Sequence, residues 1–178
     1  MPIAPGTAAD ADRIAALHTA SWRSAYAALL PASYLHGPVA EEHREQWRAR
    51  TASLGPGRLL LVAYEDGELH GFIYLRTAAD GRVHVNNLHV RPDRVGTGLG
   101  RSLLRRGFAW AAAAHPGRDV FLEVLRGNDR AIVFYEGQGG LRTAERPLRL
   151  APDLVVGEVE YTWPAAQVGR PGEDGSEV

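Results

Sequence analysis

A β-rich run closed by a proline, then three glycines at alternate positions, then an amphipathic helical pattern, restricts the folds open to this chain. The run is Val83 to Val90, the proline is Pro92, and the glycines lie in Gly96-Thr97-Gly98-Leu99-Gly100. Leu99, Leu103, Phe108 and Ala111 then keep helical spacing. Alternate glycines let the backbone curl until several N–H groups face one cup. The helix that follows adds its own free N–H groups and the positive end of its dipole. Such a junction suits a pyrophosphate. Arg94 precedes the cup, and Arg101, Arg105 and Arg106 stand on the first turns of the helix as cations for a further phosphate. Taken alone, the same residues also describe a plain tight turn into a helix.

Two other phosphate loops do not fit. A P-loop has Lys after its last glycine, and a dinucleotide fingerprint has a further glycine there; this chain has Arg101. A dinucleotide loop also usually opens the first strand–helix unit of its domain, whereas this one follows a series of strands. All 20 basic residues are Arg, which removes lysine Schiff-base chemistry. Cys is absent, and with it thiol nucleophiles, disulfides and cysteine zinc sites. The 7 histidines form no short-spaced ligand pairs, so no metal is expected. A net charge of −1 gives no field that would draw the chain to nucleic acid or an anionic membrane. No apolar run reaches the roughly 20 residues that span a bilayer. No basic flank precedes an apolar block at the N-terminus. The expected location is the cytoplasm.

A length of 178 residues suits one domain with a sizeable core. Ile3-Ala4 opens a short strand. Asp10 is placed to cap a helix through Ile14, Leu17 and His18 towards Trp22 and Tyr26, ended by Pro31. Glu41 to Thr51, with Trp47 embedded, reads as a second helix. Arg58 to Tyr64, the turn at Glu65-Asp66-Gly67-Glu68, Leu69 to Arg76, a turn at Asp80-Gly81, and Val83 to Val90 make an antiparallel meander. After the glycine-loop helix come a strand from Val120 to Leu125, a helix from Asn128 to Glu136, and two strands, Thr143 to Leu150 and Val155 to Trp163. Strand alternation puts Val85, Asn87 and His89 on one face and Leu88 and Val90 on the other. The expected fold is α/β with α+β character: a mixed, mostly antiparallel central sheet of about six to seven strands flanked by about four helices. Residues 1–164 form the domain, and 165–178, rich in Gly, Pro and acid, form a disordered acidic tail.

The second chemical feature is Asn128-Asp129-Arg130-Ala131-Ile132-Val133-Phe134-Tyr135. Asn128, Ala131, Ile132 and Tyr135 share one helix face, and Asn128 stands where an N-cap belongs. Paired with the glycine loop, this segment resembles the GNAT (Gcn5-related N-acetyltransferase) superfamily. The family pattern is Gln/Arg-x-x-Gly-x-Gly/Ala at a strand–helix junction, then a strand, then Asn-x-x-Ala-x-x-Phe-Tyr. The lead-in Leu88-His89-Val90-Arg91-Pro92 also matches, and Ser21-Trp22-Arg23-Ser24-Ala25-Tyr26 with Leu30-Pro31 is similar to one bacterial branch. The resemblance runs from about Ala8 to Trp163. Two positions depart from it. Val95 replaces the usual Gln/Arg, although its backbone N–H can still serve. Asn87 stands where relatives often carry Glu or Asp, and an amide cannot act as a base.

The resemblance implies an acetyl-CoA-dependent N-acetyltransferase of GNAT fold, in which a primary amine attacks the thioester directly. It implies that the backbone of Leu88, His89 and Val90 holds the pantetheine arm and that Arg94, Val95, Gly96, Thr97, Gly98, Leu99, Gly100 and Arg101 surround the pyrophosphate. Asn128, Ala131, Phe134 and Tyr135 meet the cofactor from the other side. Tyr135 is the donor to the leaving thiolate, since a phenol of pKa about 10 can protonate it. For the proton of the incoming ammonium, Glu123, His89 and Asn87 acting through water are all candidates. Trp22, Tyr26, Tyr34 and Asn87 are candidates for acceptor contact, with His36 nearby; Trp47 and Trp110 read as core. An aromatic wall leans towards an uncharged or aromatic amine or a peptide N-terminus. Family members are often dimers, so a homodimer belongs with these implications. The competing reading, kept open by Asn87 and Val95, is an acyl-CoA-binding module without catalysis.

Overall fold

The computed structural model describes residues 1–169. Period-two alternation places the strands. In β2 (Arg58–Glu65) Leu60 and Val62 face one side and Leu61 and Ala63 the other; in β3 (Glu68–Thr77) Phe72 and Tyr74 oppose Ile73 and Leu75. All eight are buried, so both faces of this part of the sheet are covered. That is why these strands read as continuous apolar runs rather than as alternation of apolar and polar.

The remaining strands are β1 (Ile3–Pro5), β4 (Val83–Val90), β5 (Val120–Leu125), β6 (Leu141–Ala151) and β7 (Leu154–Trp163). They form one sheet of order β1-β2-β3-β4-β5-β7-β6, antiparallel except between β4 and β5. The expected mixed, mostly antiparallel sheet is thus the one found.

One face carries α1 (Ala11–Ala25) and α3 (Val39–Ala52), which pack Ile14, Leu17 and Trp47 against Leu60, Val62, Phe72 and Tyr74. The other carries α4 (Leu99–Ala114), which buries Leu99, Leu103, Leu104 and Ala111 against Ile73, Leu75, Val83 and Val85. Each such side chain contributes about 1.5–3 kcal/mol when fully buried. Gly107 is what brings α4 down on β3: a Cβ there would stand 3.1 Å from both Ile73 and Leu75. The shorter helices are α2 (Ala32–Leu35), α5 (Asp129–Gly137) and α6 (Ala165–Val168).

Several local expectations are corrected. Asp10 does not cap α1. Its carboxylate turns back to the Thr7 N–H at 2.7 Å and accepts the Tyr64 hydroxyl at 2.7 Å, closing a capping box around a 3₁₀ turn. Trp47 is fully buried, but Trp110 is half-buried at the rim, against His115. The tail does not begin at residue 165. Ala165–Val168 form a helical turn whose Val168 is buried, held by Ala165 N–H to Asp119 at 2.9 Å and Gln167 Nε2 to the Gly139 carbonyl at 3.0 Å. Residues 170–178 of the expected tail lie outside the described residues.

Candidate active site

Strands β4 and β5 pair over only two positions, Val83 with Val120 and His84 with Phe121. Beyond these, β4 stays with β3 as far as Val90, while β5 stays with β7 as far as Leu125. The two strands therefore part, and a cavity of about 1130 Å³ fills the space between them.

The register shows how they part. Leu75 pairs with Val85 but Tyr74 pairs with Asn87, so Asn86 is an extra residue, a β-bulge. A bulge resets the alternation. Val85 sits in the core beneath α4, as do the flanks of Leu88 and Val90, whereas Asn87 and His89 turn towards α1 and α3. The expectation that Val85 shares a face with Asn87 and His89 fails for this reason. Asn86 lines the cavity, and its Oδ1 is buried with no partner.

At the mouth, Gly98 holds φ +84 and begins α4, a left-handed conformation that suits glycine. Arg94, Val95, Gly96, Gly98, Gly100 and Arg101 line the cavity; Thr97 and Leu99 do not. The Leu99 side chain is core, and the Thr97 hydroxyl donates to the Arg94 carbonyl at 2.7 Å. Only the backbone of those two is open to a ligand role. Arg106 turns away and donates to the Ile3 carbonyl at 3.1 Å. The Ser21 hydroxyl donates to the Val90 carbonyl at 3.2 Å, which engages one of the backbone groups expected to hold a ligand.

Asn87 and His89 of the β4 wall carry no charge at neutral pH. The Asn87 Oδ1 accepts from Arg50 at 2.6 Å, and its Nδ2 lies 3.4 Å from His18 Nε2. His18 Nδ1 accepts the Trp47 indole N–H at 3.1 Å, which makes this ring neutral with its proton on Nε2. His89 packs on His18 with centroids 4.4 Å apart. Burial, then the fields of His43 and Arg50, push His89 down to about 3.

The opposite wall holds the ionisable groups. Tyr135, 9% exposed, lines the cavity from α5, and burial, reinforced by Tyr26, raises its phenol well above the usual value. It is protonated at neutral pH. Asn128 caps α5, accepting the Ala131 N–H at 3.3 Å. Ala131 and Phe134 complete this side. Glu123 accepts from His84 Nε2 at 2.6 Å and Arg146 at 2.5 Å; burial raises its pKa, but these partners outweigh burial and hold it below the ordinary value.

Of the acceptor candidates, Trp22, Tyr26 and Asn87 line the cavity, whereas Tyr34 and His36 do not. The Tyr34 hydroxyl lies 3.4 Å from Glu42 instead. Glu158 on β7, paired with Leu125, is among the lining residues that the sequence candidates omit. Its signal was available. Glu158 and Glu160 alternate with Val159 and Tyr161 in an otherwise apolar strand, which marks a polar face beside the core.

Among the described residues no group of three or more His, Asp or Glu could hold a metal, and no helix is long and apolar enough to cross a membrane.

A family model described as the acetyltransferase (GNAT) family matches residues 15–139. The chain is 27% identical to an uncharacterized N-acetyltransferase, YuaI, of Bacillus subtilis (strain 168), over 87% of this chain and 88% of that protein. Its fold is similar to that of the PaiA N-acetyltransferase from Thermoplasma acidophilum, solved in complex with coenzyme A, with a TM-score of 0.73 at 20% identity over 91% and 98% of the two chains. It is also similar to the ribosomal-protein-S18-alanine N-acetyltransferase from Escherichia coli, with a TM-score of 0.65 at 22% identity over 97% of each.

Proposed function

The chain belongs to the acetyltransferase (GNAT) family, and from that premise we propose that it moves the acetyl group of acetyl-CoA to a primary amine by direct attack. The observation that carries the reading is the parting of β4 and β5 at Asn86, with the glycine loop at its mouth and Tyr135 on its far wall. The backbone of Val95 to Arg101, with the dipole of α4 behind it, suits the pyrophosphate. Asn128 and the free edge of β4 flank the arm. The PaiA structure, solved with coenzyme A, supports the assignment of this cofactor.

In the reaction, the amine nitrogen forms a bond to the thioester carbonyl carbon and the carbon–sulfur bond breaks. Tyr135, held protonated by burial, gives its proton to the departing thiolate and is replenished from solvent. The acceptor side is not only aromatic: Glu123 and Glu158 stand beside Trp22 and Tyr26. That composition favours an amine that arrives as an ammonium ion, on a small molecule or a peptide, over an uncharged one.

Calorimetric titration with acetyl-CoA, with NAD and ATP as controls, tests the cofactor half. Saturable binding of acetyl-CoA alone is expected, followed by CoA release when amines are added. An absence of binding sinks the reading.

A further inference from the structure

Direct attack needs a neutral amine, so the ammonium must surrender a proton inside the cavity. The three groups that the sequence offers for this are all engaged. Asn87 has no basic lone pair and gives its oxygen to Arg50. His89 is packed between His18 and Phe72, with its basicity suppressed by burial. Glu123 is an anion already satisfied by two short contacts, from His84 and Arg146.

Glu158 differs from Glu123 in how its carboxylate is partnered. Like Glu123, it lines the cavity with its side chain 16% exposed, so the difference lies in its partners. Its nearest cation is the Nε of Arg146 at 3.5 Å, and that same guanidinium already serves Glu123 at 2.5 Å and lies 3.6 Å from Glu160. Its strand position pairs with Leu125, the residue to which the Asn128 N–H bonds at 3.1 Å. Tyr26, at the end of α1, feels the Glu158 charge. Glu158 thus stands on the same wall as Tyr135, past the point where β4 has left.

Resting on the acetyl-transfer reading above, we propose that Glu158 is the general base that takes the proton from the incoming ammonium before it attacks the thioester. The proton moves from nitrogen to the carboxylate, and the freed lone pair forms the new carbon–nitrogen bond. The groups facing Glu158 are Tyr26 from the end of α1, His84 from β4, Glu123 from β5, Arg146 from β6 and Glu160 on its own strand. Burial, then the charge of Glu123, raise its carboxyl, and Arg146 only partly offsets them. A carboxylate raised in this way is a stronger base than an ordinary one.

The test is CoA release by native enzyme, Glu158→Gln, Glu158→Asp and Glu123→Gln across pH, with a panel of primary amines, alongside acetyl-CoA titration of each protein. For Glu158→Gln we expect kcat/KM to fall about 10²-fold or more near neutral pH, with acetyl-CoA affinity retained. The acid limb set by Glu158 should vanish, and the deficit should shrink as pH approaches the amine's own pKa, where the base is no longer needed. Glu158→Asp should keep an acid limb and recover part of the rate. A native-like limb in Glu158→Gln, a loss that is the same at every pH, or loss of the limb in Glu123→Gln instead, overturns the proposal while acetyl transfer stands. Absence of CoA release by the native enzyme with every amine removes the acetyl-transfer reading and this one together.

Discussion

The two walls of the cleft are built on opposite principles. The β4 wall presents backbone, apolar flanks and two side chains turned back towards the helices: Asn87 to Arg50, and His89 against His18. The wall made by β5, β7 and α5 presents the groups that carry or accept protons: Tyr135, Glu123 and Glu158. The difference follows from what lies behind each. Behind β4 are α1, α3 and a nest of aromatic and imidazole rings, with His18 and His43 stacked at 3.6 Å; a charge there would be costly, so the rings stay neutral. On the same face of β5 and β7, short α2 packs Leu35 with Leu125 and Val156, and beyond that contact Arg82 and Arg146 serve Glu123, Glu158 and Glu160 in reach of water. One wall is suited to holding a ligand and the other to moving its protons.

The sharpest way to break this division is Tyr135→Phe. We expect kcat to fall about 10³-fold, with acetyl-CoA affinity unchanged by calorimetry; an unaltered kcat would take proton donation off that wall.

The next effect is on the quiet wall, in acid. His18 is held well below its ordinary value, His43 at about 4 and His89 at about 3, in each case first by burial. In the unfolded chain these rings take up protons near pH 6.5, while the folded protein refuses them. The unfolded state therefore binds more protons, and stability falls as pH drops from about 6.5 towards 4. Urea unfolding at pH 7 and pH 5 should differ by about 2 kcal/mol for each ring that stays neutral. The carboxyls of Glu123 and Glu160, held below their ordinary values, titrate lower still and leave this window clear. A pH-independent stability would mean that the rings are not sealed.

Smaller again is Asn87→Ala. Arg50 loses its acceptor, which should cost about 2 kcal/mol in stability and leave kcat within about threefold, since the amide positions neighbours rather than reacts. A collapse of kcat at unchanged stability would move part of the chemistry to β4. The smallest effect is Gly98→Ala. Forcing a Cβ into the left-handed conformation costs about 1–2 kcal/mol, and the expected readout is a weaker acetyl-CoA Kd with kcat preserved.

The features legible in the sequence were those encoded locally. The glycine loop, the Asn128 cap and the meander each lie within a few neighbouring residues, and the corresponding elements formed where the patterns put them. The bulge at Asn86 was not legible, because it is set by pairing with β3 and carries no glycine to mark it. Asn87 bonds Arg50, 37 positions away, and stands beside His18, 69 positions away, and no local pattern reveals either contact. The polar face of β7 is legible in Glu158 and Glu160 alternating with Val159 and Tyr161, but its place beside the cavity is not, because that depends on β7 entering the sheet between β5 and β6. Short α2 and α6 lack the length for a periodic signal, and packing rather than propensity holds them.

The two-position joint between β4 and β5 has a consequence for how the molecule opens. Ladder cooperativity ends where the rungs end, so the β1–β4 part and the β5–β7 part are nearly separate units of protection, stitched by two rungs and by the helices laid across them. Amides of β4 from Leu88 onward should exchange with deuterium far faster in the free protein than those of β3. A bound acyl-thioester arm would then act as a removable eighth strand, its signature a slowing of exchange on both sides of the gap at once.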